Sequence, residues 1–256
     1  MTIQQPRKFK ILLIGDDCVD IYRYGTVNRL CPEAPVPIFE PLHEESRPGM
    51  AGNVEQNLLK LGCDVTTMLG EASVKTRLID LRSGQQVLRL DQNARSPAIK
   101  LQTRIPQTFD AVVVSDYNKG AVDHRLIRDL RKDFFGPVFV DTKKPELARF
   151  KGCIVKINEK EFQDRKSMCD QLIVTLGDRG AVFYDQGKPT EFSAHHVELS
   201  DVCGAGDTFL AALTYQYLST GDMSQSIKFA MAAASITVQH LGVYAPTVEE
   251  IHAVIR

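Results

Sequence analysis

The chain has 256 residues, 43% of them hydrophobic and 25% charged, the balance of a soluble globular protein with length enough for one large domain. Lys and Arg number 31 against 32 Asp and Glu, so charge gives no reason to expect a nucleic-acid or anionic-membrane partner. No apolar run approaches the ~20 residues of a membrane span, "MTIQQPRKFK" lacks the apolar stretch of a secretory leader, and the six cysteines form no CxxC pair; a cytoplasmic protein with reduced thiols is expected.

"KILLIG" (Lys10–Gly15) is a short apolar run ending in Gly, the form of a buried parallel strand. "NVEQNLLKLG" has helical spacing and a stop at Gly62, and "CDVTTMLG" follows as a strand. "EASVK" is too short for a parallel crossover, which needs roughly 10–12 residues, so "TRLIDL" and "QQVLRLD", joined around Ser83-Gly84, read as a hairpin outside the main sheet. The proline-bearing "EAPVPIFEPL" reads as an edge strand that joins this hairpin. Together they predict a small β flap, over about 22–48 and 75–92, on a single domain spanning 1–256.

Further on, "DAVVVSDY" and "PVFVDT" are buried strands flanking the helical "VDHRLIRDLRKDF". "CIVKIN" and "QLIVTLG" repeat the strand pattern, and "GAVFYDQGKPTEF" reads as a hairpin turned at Gln186-Gly187. Helices over Gly206–Thr220, Ser224–His240 and "TVEEIHAVI" close the chain, the last with a capping box at Thr247 and Glu250. The alternation predicts an α/β fold, a mostly parallel sheet with helices on both faces and a ligand site at the carboxyl ends of its strands.

"DVCGAGDTF" (Asp201–Phe209) is where the chemistry concentrates. The first amides of a helix lack internal acceptors and carry about half a positive charge in sum. Glycines let that backbone approach a ligand, so Gly204, Ala205 and Gly206 predict an anion hole. An acid in the same place makes sense if the anion is in transit: Asp207 takes a proton from an attacking hydroxyl while the amides hold the charge on a transferred phosphoryl group. The plainer alternative is a loosened helix start with Asp207 as an N-cap.

The stretch resembles the D-x-x-G-A-G-D signature of the ribokinase-like (PfkB) sugar kinases, and the resemblance runs through nearly the whole chain. It implies Asp207 as catalytic base, with Gly204, Ala205 and Gly206 as the anion hole. "GDDCVD" resembles G-D-x-x-x-D and implies sugar-hydroxyl ligands at Asp16 and Asp20; "RPGMAGNV" resembles the pocket-lining R-P-G-G-A-x-N and implies Gly49, Gly52 and Asn53. "NEKE" matches N-x-x-E, implying ATP and Mg²⁺ placement through Asn158 and Glu161, and "TLGDRG" matches T-x-G-x-x-G, implying a nucleotide site at Thr175, Gly177 and Gly180. "YRYGTVNRLCPEAPVPIFEP", "GQQVLRLD" and "SDYNKG" are similar to the branch of the family that phosphorylates heptose 7-phosphate on the way to ADP-heptose for lipopolysaccharide. The flap of that branch pairs two subunits, which implies a homodimer. Its substrate already carries a dianion that needs a positive partner, for which Arg89 and Lys119 are candidates. The H-x-G-H motif of the nucleotidyltransferase often fused to such kinases does not occur, so the chain resembles the kinase half.

Some positions depart from the family. Met50 stands for a glycine beside the sugar, Met231 for an asparagine beside the base, and Cys203 for a threonine. A helix and strand are missing between Met68 and Thr76, as is much of a helix between Phe162 and Gln171, so one sheet face is expected bare unless a partner subunit shields it. His195 and His196 lack a partnered Cys or carboxylate pattern and are assigned no metal. The expectation is an ATP-dependent sugar kinase; a sugar- or nucleotide-binding protein that keeps the fold without efficient transfer is the rival. A nicotinamide oxidoreductase would need G-x-G-x-x-G where "GDDCVD" stands.

Overall fold

The computed structural model describes residues 8–93, 95–101, 103–194, 197–198, 200–240 and 242–255. β1 (Lys10–Gly15) alternates its side chains between two separate cores, Ile11 and Leu13 on one face and Leu12 and Ile14 on the other. A strand covered on both faces reads as one apolar run, which is why "KILLIG" shows no polar alternation. The chain then leaves the sheet for β2 (Asp17–Leu30) and β3 (Pro37–Met50), returns through α1 (Ala51–Lys60) to β4 (Asp64–Leu69), and leaves again for β5 (Ser73–Asp80) and β6 (Gln86–Gln92).

The rest stays with the main sheet: β7 (Ala111–Asp116), α2 (His124–Asp133), β8 (Val138–Thr142), β9 (Ile154–Asn158), α3 (Glu159–Gln163), β10 (Gln171–Thr175), and the hairpin β11 (Ala181–Asp185) and β12 (Lys188–Phe192). Gln186 and Gly187 turn that hairpin with φ of 48° and 82°, the left-handed pair that a tight two-residue turn requires. α4 (Ala205–Thr220), α5 (Met223–Thr237) and α6 (Val248–Ile255) end the chain, the last capped by Thr247 and Glu250 in reciprocal bonds.

The eight-stranded sheet has the order β12-β11-β10-β9-β8-β7-β1-β4, parallel from β4 to β10 and antiparallel through β11 and β12. α1, α4, α5 and α6 cover one face; α2 covers part of the other. Where a bare face is expected, the irregular stretch on either side of position 102 lies instead. Ile99, Leu101, Ile105 and Phe109 pack against the sheet beside Met68, and Ser96 and Ile99 donate to the carbonyls of Lys119 and Ala121. Apolar side chains on irregular backbone take the place of the absent helix. α3 is only five residues long, yet Phe162 still stacks on Tyr184 with centroids 5.4 Å apart. Among the described residues no helix is long and apolar enough to cross a membrane.

The flap is a second sheet of order β3-β2-β5-β6. The edge strand from the proline-rich segment does not join the β5–β6 hairpin directly; β2 lies between them, antiparallel to β3 and parallel to β5. β2 escapes a pattern reading because charged residues and Gly25 interrupt it. Gly25 sits at a register shift so close to β3 that a Cβ would lie 2.3 Å from the Glu40 carbonyl oxygen. The register gives the flap two unlike faces, since directly paired residues project on the same side. Asp20 with Arg47 and Lys75, and Tyr22 with Arg77 and Arg89, make one face polar; Val19 with Val74, Ile21 with Thr76 and Leu90, and Leu78 with Leu88 line the other.

Candidate active site

α4 begins where the loop at its mouth is held from several sides. Asp201 accepts from the amide of Cys203 through one carboxylate oxygen and from the amide of Gly242 through the other. Gly204 caps the helix at φ 79°, and a Cβ there would lie 2.8 Å from Asn53 Nδ2. Gly206, two residues on, lies so near Lys156 that a Cβ would come within 2.9 Å of its Nζ. Between α1 and β9 there is room for bare backbone only; the Ala205 amide donates to the Val202 carbonyl at 3.4 Å, which leaves the amides of Gly206 and Asp207 to face a ligand.

Asp207 follows in that turn, buried but lining the cleft. Its Oδ2 accepts from Asn53 Nδ2 and its Oδ1 from the Tyr117 hydroxyl, each at 2.8 Å. Asn57 donates to the Asn53 backbone carbonyl at 2.8 Å and approaches its Oδ1 at 3.4 Å, which fixes the amide so that its NH₂ meets the carboxylate. Burial pushes Asp207 up to about 6 despite these two donors. At neutral pH it is ionised and basic enough to take a proton. Burial, with the Asp207 charge second, raises the Tyr117 phenol well above its ordinary value, so it stays a donor.

The loop carrying Tyr117 is pinned twice. Asp116, fully shielded, takes Lys144 Nζ at 2.5 and 2.6 Å and the Thr142 hydroxyl at 2.7 Å. Asp16, also fully shielded, accepts the amides of Lys119 and Ala121 at 3.0 and 2.9 Å. Asp16, expected among the sugar ligands, thus has both its oxygens on backbone amides and no exposed surface in this structure.

The other expected residues divide by location. The cleft, about 540 Å³, is lined by Asn158, Glu161, Thr175 and Gly177 together with Gly204, Gly206 and Asp207. Asn158 and Glu161 cap α3 reciprocally, Asn158 Oδ1 accepting the Glu161 amide and Glu161 Oε2 the Asn158 amide, while Glu161 Oε1 lies 3.5 Å from Lys143 Nζ. Gly180 has φ 99° and packs so close to β12 that a Cβ would lie 1.9 Å from the Phe192 carbonyl oxygen; Ala205 is simply the first residue of α4.

Asp20 lies on the polar flap face, bonded to Arg77 Nη1 at 2.5 Å. A Cβ on Gly49 would come within 2.3 Å of Asp20 Oδ2, and one on Gly52 within 2.8 Å of Pro48. Arg77 and Arg47 both lie over the Tyr22 ring, and Arg47 reaches the α4 mouth, where a Cβ on Gly242 would meet its Nη1 at 2.7 Å. Arg89 is on the outer strand of the flap and half exposed, its guanidinium forked onto Asp91. The Lys119 backbone, not its ammonium, makes the bond to Asp16.

Met50 adopts φ 51° and ψ −124°, a glycine conformation, so the backbone keeps the glycine path and the side chain is buried outside the cleft lining. Met231 packs against the α4–α5 core, and Cys203 contributes its amide to Asp201. His195 and His196 lie outside the described residues.

Sequence reading misses Tyr117, Asp141 and Lys156, all of which line the cleft. Lys156 is buried on β9 with Nζ 2.7 Å from Asp141 Oδ2; burial opposes its charge, but the Asp141 carboxylate holds the ammonium above its ordinary value. The one available signal is a lysine inside the apolar run "CIVKIN". Among the described residues no three His, Cys, Asp or Glu side chains cluster as a metal cage.

A profile of the pfkB family carbohydrate kinases matches residues 146–250. The chain is 30% identical to Bifunctional protein HldE of Campylobacter curvus across 98% of its own length and 66% of that protein, and 30% identical to the HldE of Hydrogenovibrio crunogenus across 94% and 62%. It therefore spans less than two thirds of these curated relatives. In fold it is similar to Arabidopsis thaliana ribokinase complexed with ribose and ATP (TM-score 0.74, 17% identity, covering 98% of this chain and 99% of that one). Thermotoga maritima ribokinase is comparable (TM-score 0.72, 18% identity, 96% and 99% covered).

Proposed function

Because this chain belongs to the pfkB family of carbohydrate kinases, we propose that it transfers the γ-phosphoryl group of ATP to the anomeric hydroxyl of a phosphorylated sugar of the heptose 7-phosphate type. The observation that carries this reading is the Asp207 carboxylate, oriented by Asn53 and Tyr117, in the first turn of α4 beside the bare backbone of Gly204 and Gly206. Asp207 removes the hydroxyl proton as the oxygen attacks phosphorus in line; the bond to the leaving ADP oxygen breaks, and the amides near Gly204–Gly206 hold the charge on the moving group.

The residues fit a nucleotide and Mg²⁺. Mg²⁺ keeps several waters and needs only one or two protein carboxylates beside phosphate, a modest demand that Glu161, with Asn158 next to it, meets at the cleft wall. When bound, the ion supplies charge neutralisation on the phosphates. Thr175, Gly177 and Gly180 belong to the nucleotide end, and Asp20, Gly49, Gly52 and Asn53 to the sugar end. Arg89 and Lys119 remain candidates for the sugar's own phosphate, joined now by Arg47, which reaches the α4 mouth more directly, and by Arg77, which shares the Tyr22 ring with it.

The half-exposed Leu88 and Leu90 of the apolar flap face support a homodimer formed through that face. The reading further places the protein in the cytoplasm, in ADP-heptose synthesis. ATP consumption with heptose 7-phosphate and a panel of free and phosphorylated sugars tests it, with the product located by ³¹P NMR. ADP release dependent on one phosphorylated sugar is the expected result; nucleotide binding with no sugar-dependent release would favour a binding protein instead.

A further inference from the structure

We propose that Lys156 is a catalytic residue, its ammonium meeting the phosphoryl group as that group passes from nucleotide to sugar. The inference rests on the kinase reading above and adds to it a charge that the sequence motifs do not contain.

Along β9 the side chains alternate, and Lys156 shares the face of Ile154, which packs into the core beneath α4. An ammonium therefore stands where an aliphatic side chain would ordinarily fill the layer. It lies against the first turn of α4, as the space it denies to a Cβ on Gly206 shows. Two influences oppose a cation there, the positive helix mouth and the several kcal/mol that taking an ammonium out of water costs, and the carboxylates of Asp141, Asp207 and Glu161 offset them. Leucine or methionine would fill the volume without either penalty. Asp141, its register partner on β8, takes one of three N–H donors. Lys156 lines the cleft with Asp207, Gly204 and Gly206. Two positive sources thus converge on one point, and a phosphate dianion there is attracted by both. A pair built only to neutralise Asp141 gains nothing from lying under a helix mouth.

Calorimetric titration with Mg²⁺ and either AMP-PNP or ADP tests this without any sugar. Wild-type protein should prefer the triphosphate analogue. Lys156→Met should erase that preference and leave ADP affinity within about threefold, while kcat falls by about 10²–10³-fold, the size seen when one transition-state donor is removed, and the sugar KM stays within a few-fold. Lys156→Arg keeps the charge beside Asp141 and should keep the preference, so it decides the matter if the Met variant does not fold. Wild-type protein that binds both nucleotides equally, a Met variant with the wild-type ratio, or an Arg variant that loses the preference would each overturn the proposal. The kinase reading fails separately: no sugar would release ADP, while the preference and its loss in Lys156→Met would persist.

Discussion

Asn53 Nδ2 donates to Asp207 Oδ2 at 2.8 Å, joining the first turn of α1 to the first turn of α4 across 154 positions of sequence. Both side chains are buried, and Asn57 sets the orientation of the Asn53 amide. A donor on a carboxylate stabilises its ionised form, so this bond works against the burial that raises Asp207 to about 6. Asn53→Ala should move the acid limb of the kcat profile to higher pH and lower kcat below that limb. Tyr117→Phe should act in the same direction. A limb unmoved in both variants would mean that another group limits the rate.

Asp207→Asn removes the proposed base. Turnover should fall by about 10²–10⁴-fold, the usual worth of general-base catalysis, with nucleotide affinity largely kept. Stability should move the other way. Between the ordinary carboxylate value of 3.8 and about 6, the unfolded chain has released this proton and the folded one has not. Folding stability contributed by this group therefore declines as pH rises through that window. The total is on the order of 3 kcal/mol. Asp207→Asn should accordingly melt higher than wild type at pH 8 and no higher near pH 4; an equal change at both pH values would argue against a strained carboxylate.

Glycine would be the ordinary residue at position 50, and Met50 holds the glycine backbone, φ 51° and ψ −124°, under strain of about 1–3 kcal/mol. Replacing it by Ala or Gly removes the same buried thioether, so the two variants differ chiefly in that strain. Met50→Gly should be the more stable in urea by about 1–2 kcal/mol, after allowing for the entropy of glycine. This reverses the order expected at an unstrained site, and an Ala variant at least as stable as Gly would show that the backbone relaxes.

The main sheet is legible because its central strands are self-contained apolar runs between turn residues, and the α4 mouth because Gly204, Gly206 and Asp207 lie together in sequence. β2 is not legible: its hydrophobic alternation is broken by Asp20, Arg23 and Gly25, and its partner β5 is distant in the chain. Asp16 and Asp20 look alike in "GDDCVD", yet one accepts two backbone amides and the other pairs with Arg77 at the flap. Nothing local distinguishes them, because the amides belong to Lys119 and Ala121. Lys156 stands out in its strand, but its meaning comes from Asp141 on the neighbouring strand.

That difference between the two aspartates is measurable. Asp16→Ala leaves two shielded amides without an acceptor and should destabilise the fold by about 2–4 kcal/mol, lowering the fraction of active protein more than the sugar affinity of what remains folded. Asp20→Asn, at a partly exposed site, should change stability little and raise the sugar KM. An Asp16→Ala variant as stable as wild type that weakened only sugar binding would return Asp16 to the sugar ligands.

The flap offers the last test. Leu88 and Leu90 are 49% and 45% exposed on the face opposite Asp20 and Tyr22, and Leu78, Ile21 and Val74 extend the same apolar surface across the sheet. A sheet with one polar and one apolar face needs cover for the second, and a two-fold pairing of flaps covers both copies with the same residues. Each leucine is already half covered, so burying the rest contributes about 0.7–1.5 kcal/mol, and a dimer counts every one twice. The double variant Leu88→Lys, Leu90→Lys should therefore run as a monomer in light scattering at concentrations where wild type is dimeric, with its dissociation constant raised at least about 100-fold, some 2.7 kcal/mol. Because the substituted side chains point away from Asp20 and the α4 mouth, nucleotide binding should survive. Wild-type protein that is monomeric at micromolar concentration, or a variant that still pairs, would assign this apolar face some other cover.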